Sequence, residues 1–208
     1  MNPKIKKIIA REGIVLISIV LSIFINGLIP TLIFAQEDHG HKLSPDGSQI
    51  IFIRDIKPCP ITPNTGWVPG DYDEIWSMRA DGSDQRCIIK NNCSSNQDMS
   101  HFLGSFDSLH FSPDGKRIYF LSQNCATDAI LYRANSDGSN IKRISNAHQL
   151  DVIGGNPKDE YYGHLVAGVR KSQGAEPIRW TVVLLNAEGI EIMEIEDVEA
   201  FWKEHKKL

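Results

Sequence analysis

The stretch Leu109-His-Phe-Ser-Pro-Asp-Gly-Lys-Arg-Ile-Tyr-Phe-Leu-Ser122 decides the fold of this chain. Within it, Pro113 presets φ for the first central position of a tight turn, Asp114 can hydrogen-bond back to the local backbone, and Gly115 accepts a positive φ. After the turn, apolar and polar side chains alternate up to Leu121, which is typical of a half-buried strand. The stretch therefore predicts two antiparallel strands joined by a tight turn.

A second turn signal follows, and both signals occur twice. Asp137-Gly138, between the strand-like residues 129–134 and 140–144, predicts a two-residue hairpin. Upstream, a Ser-Pro-Asp-Gly turn precedes the alternating residues 49–54, and an Asp-Gly turn follows residues 74–79. Each copy therefore predicts a four-stranded antiparallel meander. The turn residues are Ser44, Pro45, Asp46, Gly47, Asp81 and Gly82 in the first copy, and Ser112, Pro113, Asp114, Gly115, Asp137 and Gly138 in the second.

A weaker third copy begins at Asn156-Pro-Lys-Asp159, 44 residues (156 − 112) after Ser112. Its later strands are expected at Tyr161–Val169, Trp180–Asn186 and Ile190–Ile195. A period in the forties with four strands per unit is typical of propeller-type arrays. The blades are expected at about 40–92, 99–147 and 150–195, within a repeat domain at 40–195.

A Ser-Pro-Asp-Gly turn before an alternating strand, followed by an aromatic strand that ends in Asp-Gly-Ser, resembles the repeat of TolB-type β-propellers. Related blades occur in the propeller domains of prolyl-oligopeptidase-like peptidases. The resemblance covers roughly residues 40–195, without a counterpart of the α/β domain that precedes the propeller in TolB. It implies a propeller with about three blades, where closed propellers usually have about four to eight. By resemblance, the expected partner is another envelope protein.

Residues 1–35 have the features of an export signal. Basic residues lie at 4, 6, 7 and 11, an almost wholly apolar run spans 14–35, and small Ala35 precedes polar residues. The run is also about long enough to span a bilayer, so a cleaved signal peptide and a retained membrane anchor both remain open. Either alternative places residue 36 onward outside the cytoplasm, in the periplasm or the extracellular space, because the positive flank stays inside.

Residues 196–208 change period. Val198, Phe201, Trp202 and His205 recur at helical spacing, with acidic residues first and lysines last, an order that the helix dipole favours. We expect a short amphipathic helix packed on the last sheet, with a partner-binding helix as the alternative. The expected fold class is thus all-β: an incomplete or minimal β-propeller of about three four-stranded antiparallel blades, with an N-terminal hydrophobic helix and a short C-terminal helix.

The composition bears on partners and on the redox state. With 22 Lys and Arg against 26 Asp and Glu, the net charge is −4 and no basic stripe is present, so nucleic acid is not an expected partner. Four cysteines in an exported chain suggest disulfides. Four cysteines allow three pairings, and because the loops that hold Cys59 and Cys125 are equivalent in adjacent units, Cys59–Cys125 with Cys87–Cys93 is the preferred one.

A Pro- and Gly-rich insertion at 55–73 interrupts the first unit and carries Trp67 and Tyr72. These two aromatic residues could form an interaction loop, since long loops inside compact domains are often functional. The alternative is a loop without a binding function that Cys59 holds in place.

Catalytic residues are not evident in the sequence. Asp46 and Asp114 occupy the same place in two repeats, so the turn explains them. His39-Gly-His41 could bind a metal ion, but no third ligand is evident. No nucleophile elbow, zinc-protease motif or phosphate loop occurs. We therefore predict no catalytic residue, no metal site and no cofactor.

The leading functional hypothesis is an exported, non-catalytic, β-propeller-like protein-interaction module of the cell envelope. One alternative is the accessory propeller fragment of a prolyl-oligopeptidase-like hydrolase or of a lyase. Another is a degenerate fragment without a selected function. Three blades do not easily close a ring, so the C-terminal aromatic residues could cover one edge, or two chains could form a homodimer.

Overall fold

The fold was analysed on a computed structural model that describes residues 38–56, 72–91, 103–123, 129–171 and 178–208. Along these residues lie three four-stranded sheets, and in each sheet the strands are ordered as they are in the sequence. All pairings between neighbouring strands are antiparallel. The expected all-β fold with three four-stranded blades is confirmed.

We call the three sheets the first, second and third blades. The first blade consists of β1 (Asp38–Leu43), β2 (Gln49–Ile56), β3 (Tyr72–Arg79) and β4 (Arg86–Ile89). The second consists of β5 (Phe106–Phe111), β6 (Arg117–Gln123), β7 (Ala129–Asn135) and β8 (Lys142–Asn146). The third consists of β9 (Gln149–Val152), β10 (Leu165–Lys171), β11 (Arg179–Leu185) and β12 (Glu191–Ile195).

The Ser-Pro-Asp-Gly turns join the first two strands of the first two blades and have the same hydrogen bonds. In the second blade, the Ser112 hydroxyl donates to Asp114 Oδ1 at 2.6 Å and accepts from the Arg117 amide at 2.9 Å. In the first blade, Ser44 makes the same two contacts, with Asp46 and the Gln49 amide, at 2.6 and 2.9 Å. The serine therefore replaces a missing backbone partner at the start of the following strand.

The Asp-Gly turns between the third and fourth strands are likewise equivalent. Asp81 Oδ1 accepts from the Ser83 amide, and Asp137 Oδ1 accepts from the Ser139 amide, each at 2.9 Å. The third blade reaches the same turn with different residues, because Asn186 Oδ1 accepts from the amides of Glu188 and Ile190.

The hydrophobic core lies between blades rather than within one. One cluster joins aliphatic residues of the first blade, such as Ile51, Ile53 and Ile75, to the second blade. Another joins Tyr119 and Leu131 of the second blade to the third. Among the first strands of the blades, β1 contacts β5 and β5 contacts β9. Blade faces therefore stack as they do in a propeller.

The third blade departs from the expected strand positions. Residues 161–164 form turns, so the strand expected at Tyr161–Val169 begins at Leu165. Asp159 Oδ1 accepts from the Tyr161 amide at 2.9 Å, and Gly163 has a φ of 81°. The connection from β9 to β10 is therefore longer than the turns of the other blades.

A short helix, α1 (Val198–Glu204), follows the third blade as expected. Its N-cap Asp197 accepts a hydrogen bond from the Ala200 amide at 2.9 Å. Phe201 is 9 % exposed and packs in a cluster with Val166, Leu184 and Ile195 of the third blade. The helix therefore covers the end of the blade array.

The residues after α1 attach to the first strand of the third blade. The Leu208 amide donates to the Val152 carbonyl at 2.8 Å, and Ile153 pairs with Lys207 in an isolated β-bridge. His205 Nδ1 lies 2.8 Å from Asp159 Oδ2, which fixes α1 to the long turn of the same blade.

Several predictions lie outside the described residues: the leader at 1–35 with its hydrophobic helix, and most of the insertion at 55–73. Among the residues that the structure describes, no helix is long and apolar enough to cross a membrane.

Candidate functional site

Adjacent blades meet through polar contacts near their Asp-Gly hairpins. Gln49 Nε2 of the first blade donates to the Ser136 carbonyl of the second at 3.4 Å. At the next interface, Arg133 Nη1 donates to the Ala187 carbonyl at 3.0 Å and also binds the Glu188 carboxylate. The hairpins of the second and third blades are therefore each held by a side chain of the preceding blade.

The third blade has lost this polar arrangement on its outer face. Arg133 lies five residues before Gly138, and the residue five before Gly189 is Leu184, which is 0 % exposed. Instead of holding another hairpin, the third blade buries Leu184 beneath α1. This end of the blade array is closed.

The opposite end, on the first blade, exposes a residue that is buried in the second. Leu43 and Phe111 both lie directly before the serine of a Ser-Pro-Asp-Gly turn. Phe111 is packed between the first and second blades and is 2 % exposed, whereas Leu43 is 58 % exposed. The first blade therefore has an outward face, turned away from the second blade. In the second and third blades, the corresponding face packs against the preceding blade.

We define the outward face by Leu43, Ile50, Phe52, Arg54 and Trp76. Strand alternation places them opposite Ile51, Ile53 and Ile75, which pack against the second blade. Phe52 and Trp76 occupy the positions of Phe120 and Tyr132 and are likewise a cross-strand pair. The outward face thus keeps the apolar residue types of an interface between blades.

A cation lies over the aromatic residues of this face. The Arg54 guanidinium carbon is 5.0 Å from the Phe52 ring centroid and 4.4 Å from that of Trp76. Asp38 binds the same guanidinium through two hydrogen bonds of 2.7 and 2.8 Å. The hydrogen bond that Arg54 donates to Asp38 raises the pKa of Arg54, so the group stays charged. The corresponding residue of the second blade is Ser122, which is buried.

Cys87 lies opposite Trp76 on the neighbouring strand and is half-buried. Burial raises the pKa of its thiol to about 12, and the negative charge of Glu74 adds to the effect. The thiol is therefore protonated at neutral pH and a poor nucleophile. Phe52 is 0 % exposed, so the outward face offers a ligand the exposed Leu43 together with the half-buried Ile50, Arg54 and Trp76.

The predicted turn aspartates lie within their own turns. The Ser44 hydroxyl, with the Ser48 amide, lowers the pKa of Asp46 to about 2. The Ser112 hydroxyl likewise lowers the pKa of Asp114, although partial burial opposes it. Both carboxylates are occupied by local hydrogen bonds, and each lies in a different blade.

The predicted disulfides and interaction loop stay predictions. Cys59, Cys93, Cys125 and Trp67 lie outside the described residues. Cys87 has a free thiol in this structure. Tyr72 is the first residue of β3, paired with Ile56 of β2.

Sequence reasoning missed the outward face because Leu43 and Trp76 look like core residues in a single strand. Alignment of the two Ser-Pro-Asp-Gly copies could have found it. The same alignment places Arg54 where the second copy has Ser122, and a charge among aligned core positions is the signal of an exposed face.

No family model matches this chain, and a search of curated proteins finds no match. Solved structures do match it at low identity. TolB from Acinetobacter baumannii is 15 % identical over 74 % of this chain and 31 % of its own length, with a TM-score of 0.48.

The β-propeller domain of the Trilobed protease from Pyrococcus furiosus is 15 % identical, with a TM-score of 0.47, over 79 % of this chain and 43 % of its own length. An acylaminoacyl peptidase is 14 % identical, with a TM-score of 0.48, over 77 % of this chain and 25 % of its own length. The chain thus spans less than half the length of each of these three structures.

Proposed function

We propose that this chain is an exported, non-catalytic protein-interaction module of the cell envelope that binds a partner protein through the outward face of its first blade. The contrast between Leu43 and Phe111 carries the proposal. One motif position is buried under a neighbouring blade in one copy and 58 % exposed in the other. Export is supported by the basic and apolar residues of the leader at 1–35.

The chemistry of the partner follows from the interface between the first and second blades. There, the second blade's counterpart of the outward face packs on the aliphatic residues Ile51, Ile53 and Ile75. A surface that fits the outward face would therefore present an aliphatic sheet face. Because Arg54 is positively charged, the partner surface should also carry a hydrogen-bond acceptor or a carboxylate at its edge. Such a contact would fix the orientation of the partner more than it would raise the affinity.

The outward face suits a partner that binds transiently. Its aromatic rings are screened from water by Arg54, and Trp76 Nε1 donates to Glu74 Oε2 at 3.0 Å. Such cover limits self-association of a long apolar face, which is a hazard for exposed sheets.

The experiment is photocrosslinking in cells with a photoreactive residue at position 43, compared with the same residue at position 190. Ile190 is a matched control because it is 64 % exposed but lies on the third blade. We expect one protein to crosslink from position 43 and not from position 190. The Leu43→Asp variant should lose this partner in pull-downs, whereas Ile190→Asp should keep it.

Several outcomes would contradict the proposal. Equal capture by Leu43→Asp and the wild type would exclude the outward face, and a crosslink only to a second copy of this chain would replace the partner protein with a homodimer. Turnover of ester or peptide substrates by the purified chain would contradict the non-catalytic role. N-terminal sequencing of protein recovered from cell fractions tests export and shows whether the leader is cleaved.

A further inference from the structure

A histidine and two aspartates from three strands meet at one end of the first blade. Asp55 of β2 and Asp73 of β3 are directly paired, and β1 brings His39 beside them. One ligand atom from each side chain lies within 4.8 Å of the other two. His39 Nε2 is 3.4 Å from Asp55 Oδ1.

Asp73 is the buried member of the cluster. It is only 4 % exposed, and its Oδ2 accepts from the Phe106 amide at 2.8 Å. Its other oxygen, Oδ1, is buried and has no hydrogen-bond partner in the part of the chain that the structure describes. A buried carboxylate oxygen is costly unless a donor or a cation satisfies it. Asp73 Oδ1 is therefore available to a ligand, beside the His39 imidazole and the Asp55 carboxylate, which are both side chains of metal-binding types.

The local charge also favours a cation. Two carboxylates are close together, and among the described residues no Lys or Arg forms an ion pair with either one. A bound cation would remove the repulsion between them.

The separation of His39 and Asp55 agrees with coordination better than with a direct hydrogen bond. Two ligand atoms bound at about 2.1 Å to a tetrahedral zinc ion lie about 3.4 Å apart. This is the separation of His39 Nε2 and Asp55 Oδ1, which exceeds the usual nitrogen–oxygen hydrogen bond of about 2.7–3.2 Å. The side chains of His39 and Asp55 are 52 % and 38 % exposed, so both can rotate toward the fixed Asp73.

We propose that His39, Asp55 and Asp73 bind a divalent transition-metal cation, with Zn²⁺ as the reference ion. One imidazole nitrogen and two carboxylate oxygens form a donor set for such ions, whereas Ca²⁺ takes about six to eight oxygens. Three protein ligands leave a coordination position for water or for a ligand from a partner. The ion would join β1, β2 and β3 and, through Phe106, the start of the second blade.

The geometry separates the two histidines of His39-Gly-His41. His41 stacks on Phe52 with ring centroids 5.2 Å apart, on the outward face. Gly40 between them has a φ of 65°, and the register of β1 shifts between His39 and Lys42. The irregular strand therefore directs His39 to the aspartates, and the missing ligands come from strands distant in sequence.

The test is Zn²⁺ binding to the whole chain by isothermal titration and by metal analysis after dialysis. We expect one equivalent to bind, and His39→Gln and Asp55→Asn to bind at least about tenfold more weakly, because even loss of an outer-sphere partner costs about 10–100-fold. His41→Gln is the matched control and should bind within about twofold of the wild type. Zn²⁺ should also raise the thermal midpoint of the wild type by more than that of Asp55→Asn at the same metal concentration.

Two exposed ligand positions keep the test independent of folding, because Asp73→Asn alone could act through stability. A wild-type chain that binds no Zn²⁺ overturns the proposal. So does binding that His39→Gln and Asp55→Asn leave intact, or a site that binds Ca²⁺ in preference to Zn²⁺. Partner capture through position 43 is measured separately, so this site and the proposed function can fail independently.

Discussion

Gly138 lies directly against Ile88, where the hairpin of the second blade meets the last strand of the first. A Cβ atom on Gly138 would be 2.0 Å from the Ile88 carbonyl oxygen. The next interface repeats the relationship, since a Cβ on Gly189 would be 1.7 Å from Ile144 Cγ2. Ile88 and Ile144 each lie six residues after the glycine of their own hairpin. Blade packing therefore depends on the absence of a side chain at the hairpin tip.

The Gly138→Ala variant should destabilise the fold by about 2–4 kcal/mol. About 1 kcal/mol comes from the positive φ of 86°, and the remainder from an atom forced into a packed interface. Urea denaturation of the purified chain measures the loss.

Gly82→Ala is the control for that substitution. Gly82 has the same turn and a φ of 84°, but nothing lies within 4 Å of the position of its Cβ. We expect a loss of only about 1 kcal/mol. Equal losses for the two variants would show that blade packing does not require the glycine. Gly82 lies in a hairpin against which none of the described blades packs.

Ser112→Ala should cost about 1–3 kcal/mol. The hydroxyl of Ser112, which is only 6 % exposed, is the partner of the Arg117 amide, so the substitution leaves a half-buried donor unsatisfied. Thermal unfolding of the variant measures this loss of stability. Ser139→Ala, at an exposed turn where Asp137 still accepts from the residue 139 amide, should change stability by less than about 0.5 kcal/mol. If both variants behaved alike, the buried hydroxyl would not be the cause.

The blades could be predicted from sequence because their decisive residues act locally. Ser112, Asp114 and Gly115 complete their hydrogen bonds within a six-residue segment. The third blade was harder, since Asn186 takes over the role of the turn aspartate two positions away from it. The C-terminal helix was predictable as well, because the helical spacing of the apolar residues around Phe201 is a local pattern within one element.

The candidate sites were not predictable in the same way. His39, Asp55 and Asp73 come together only through the register of three strands, and the register shift in β1 decides where His39 lies. Sequence reasoning considered His39 together with His41, but the side chain of His41 stacks on Phe52 instead. Exposure of Leu43 likewise depends on the packing of whole blades, because no described residue covers it as the first blade covers Phe111.

Phe201→Ala should be among the most damaging single changes, with a loss of about 3–5 kcal/mol. The ring is 9 % exposed and fills the space over Leu184 and Ile195, where the third blade would otherwise expose apolar surface. Increased binding of a hydrophobic dye should accompany the loss measured by denaturation. Lys203→Ala is the control on the same helix, because Lys203 is exposed and forms only a surface pair with Glu199. A small effect for Phe201→Ala would mean that α1 does not cap the array.

Stability should fall with acid in a window set by His110. Burial lowers the pKa of this imidazole from 6.5 to about 4, and the charge of Lys42 acts in the same direction, against Asp151 and a hydrogen bond with the Leu150 backbone. Between these two values the unfolded chain binds the proton and the folded chain does not, so the free energy of unfolding decreases as the pH falls from about 6.5 to 4. The difference of about 2.5 between the two pKa values (6.5 − 4) corresponds to at most about 3.4 kcal/mol.

The His110→Gln variant isolates this contribution, since every other titrating group is common to both proteins. We expect it to be less stable than the wild type at pH 7.5, where the packed neutral imidazole is lost, and the difference to shrink steadily toward pH 4. Urea denaturation at half-unit pH steps measures the two curves. Parallel curves would show that His110 titrates alike in the folded and unfolded chains, which would contradict its burial between β5 and the third blade.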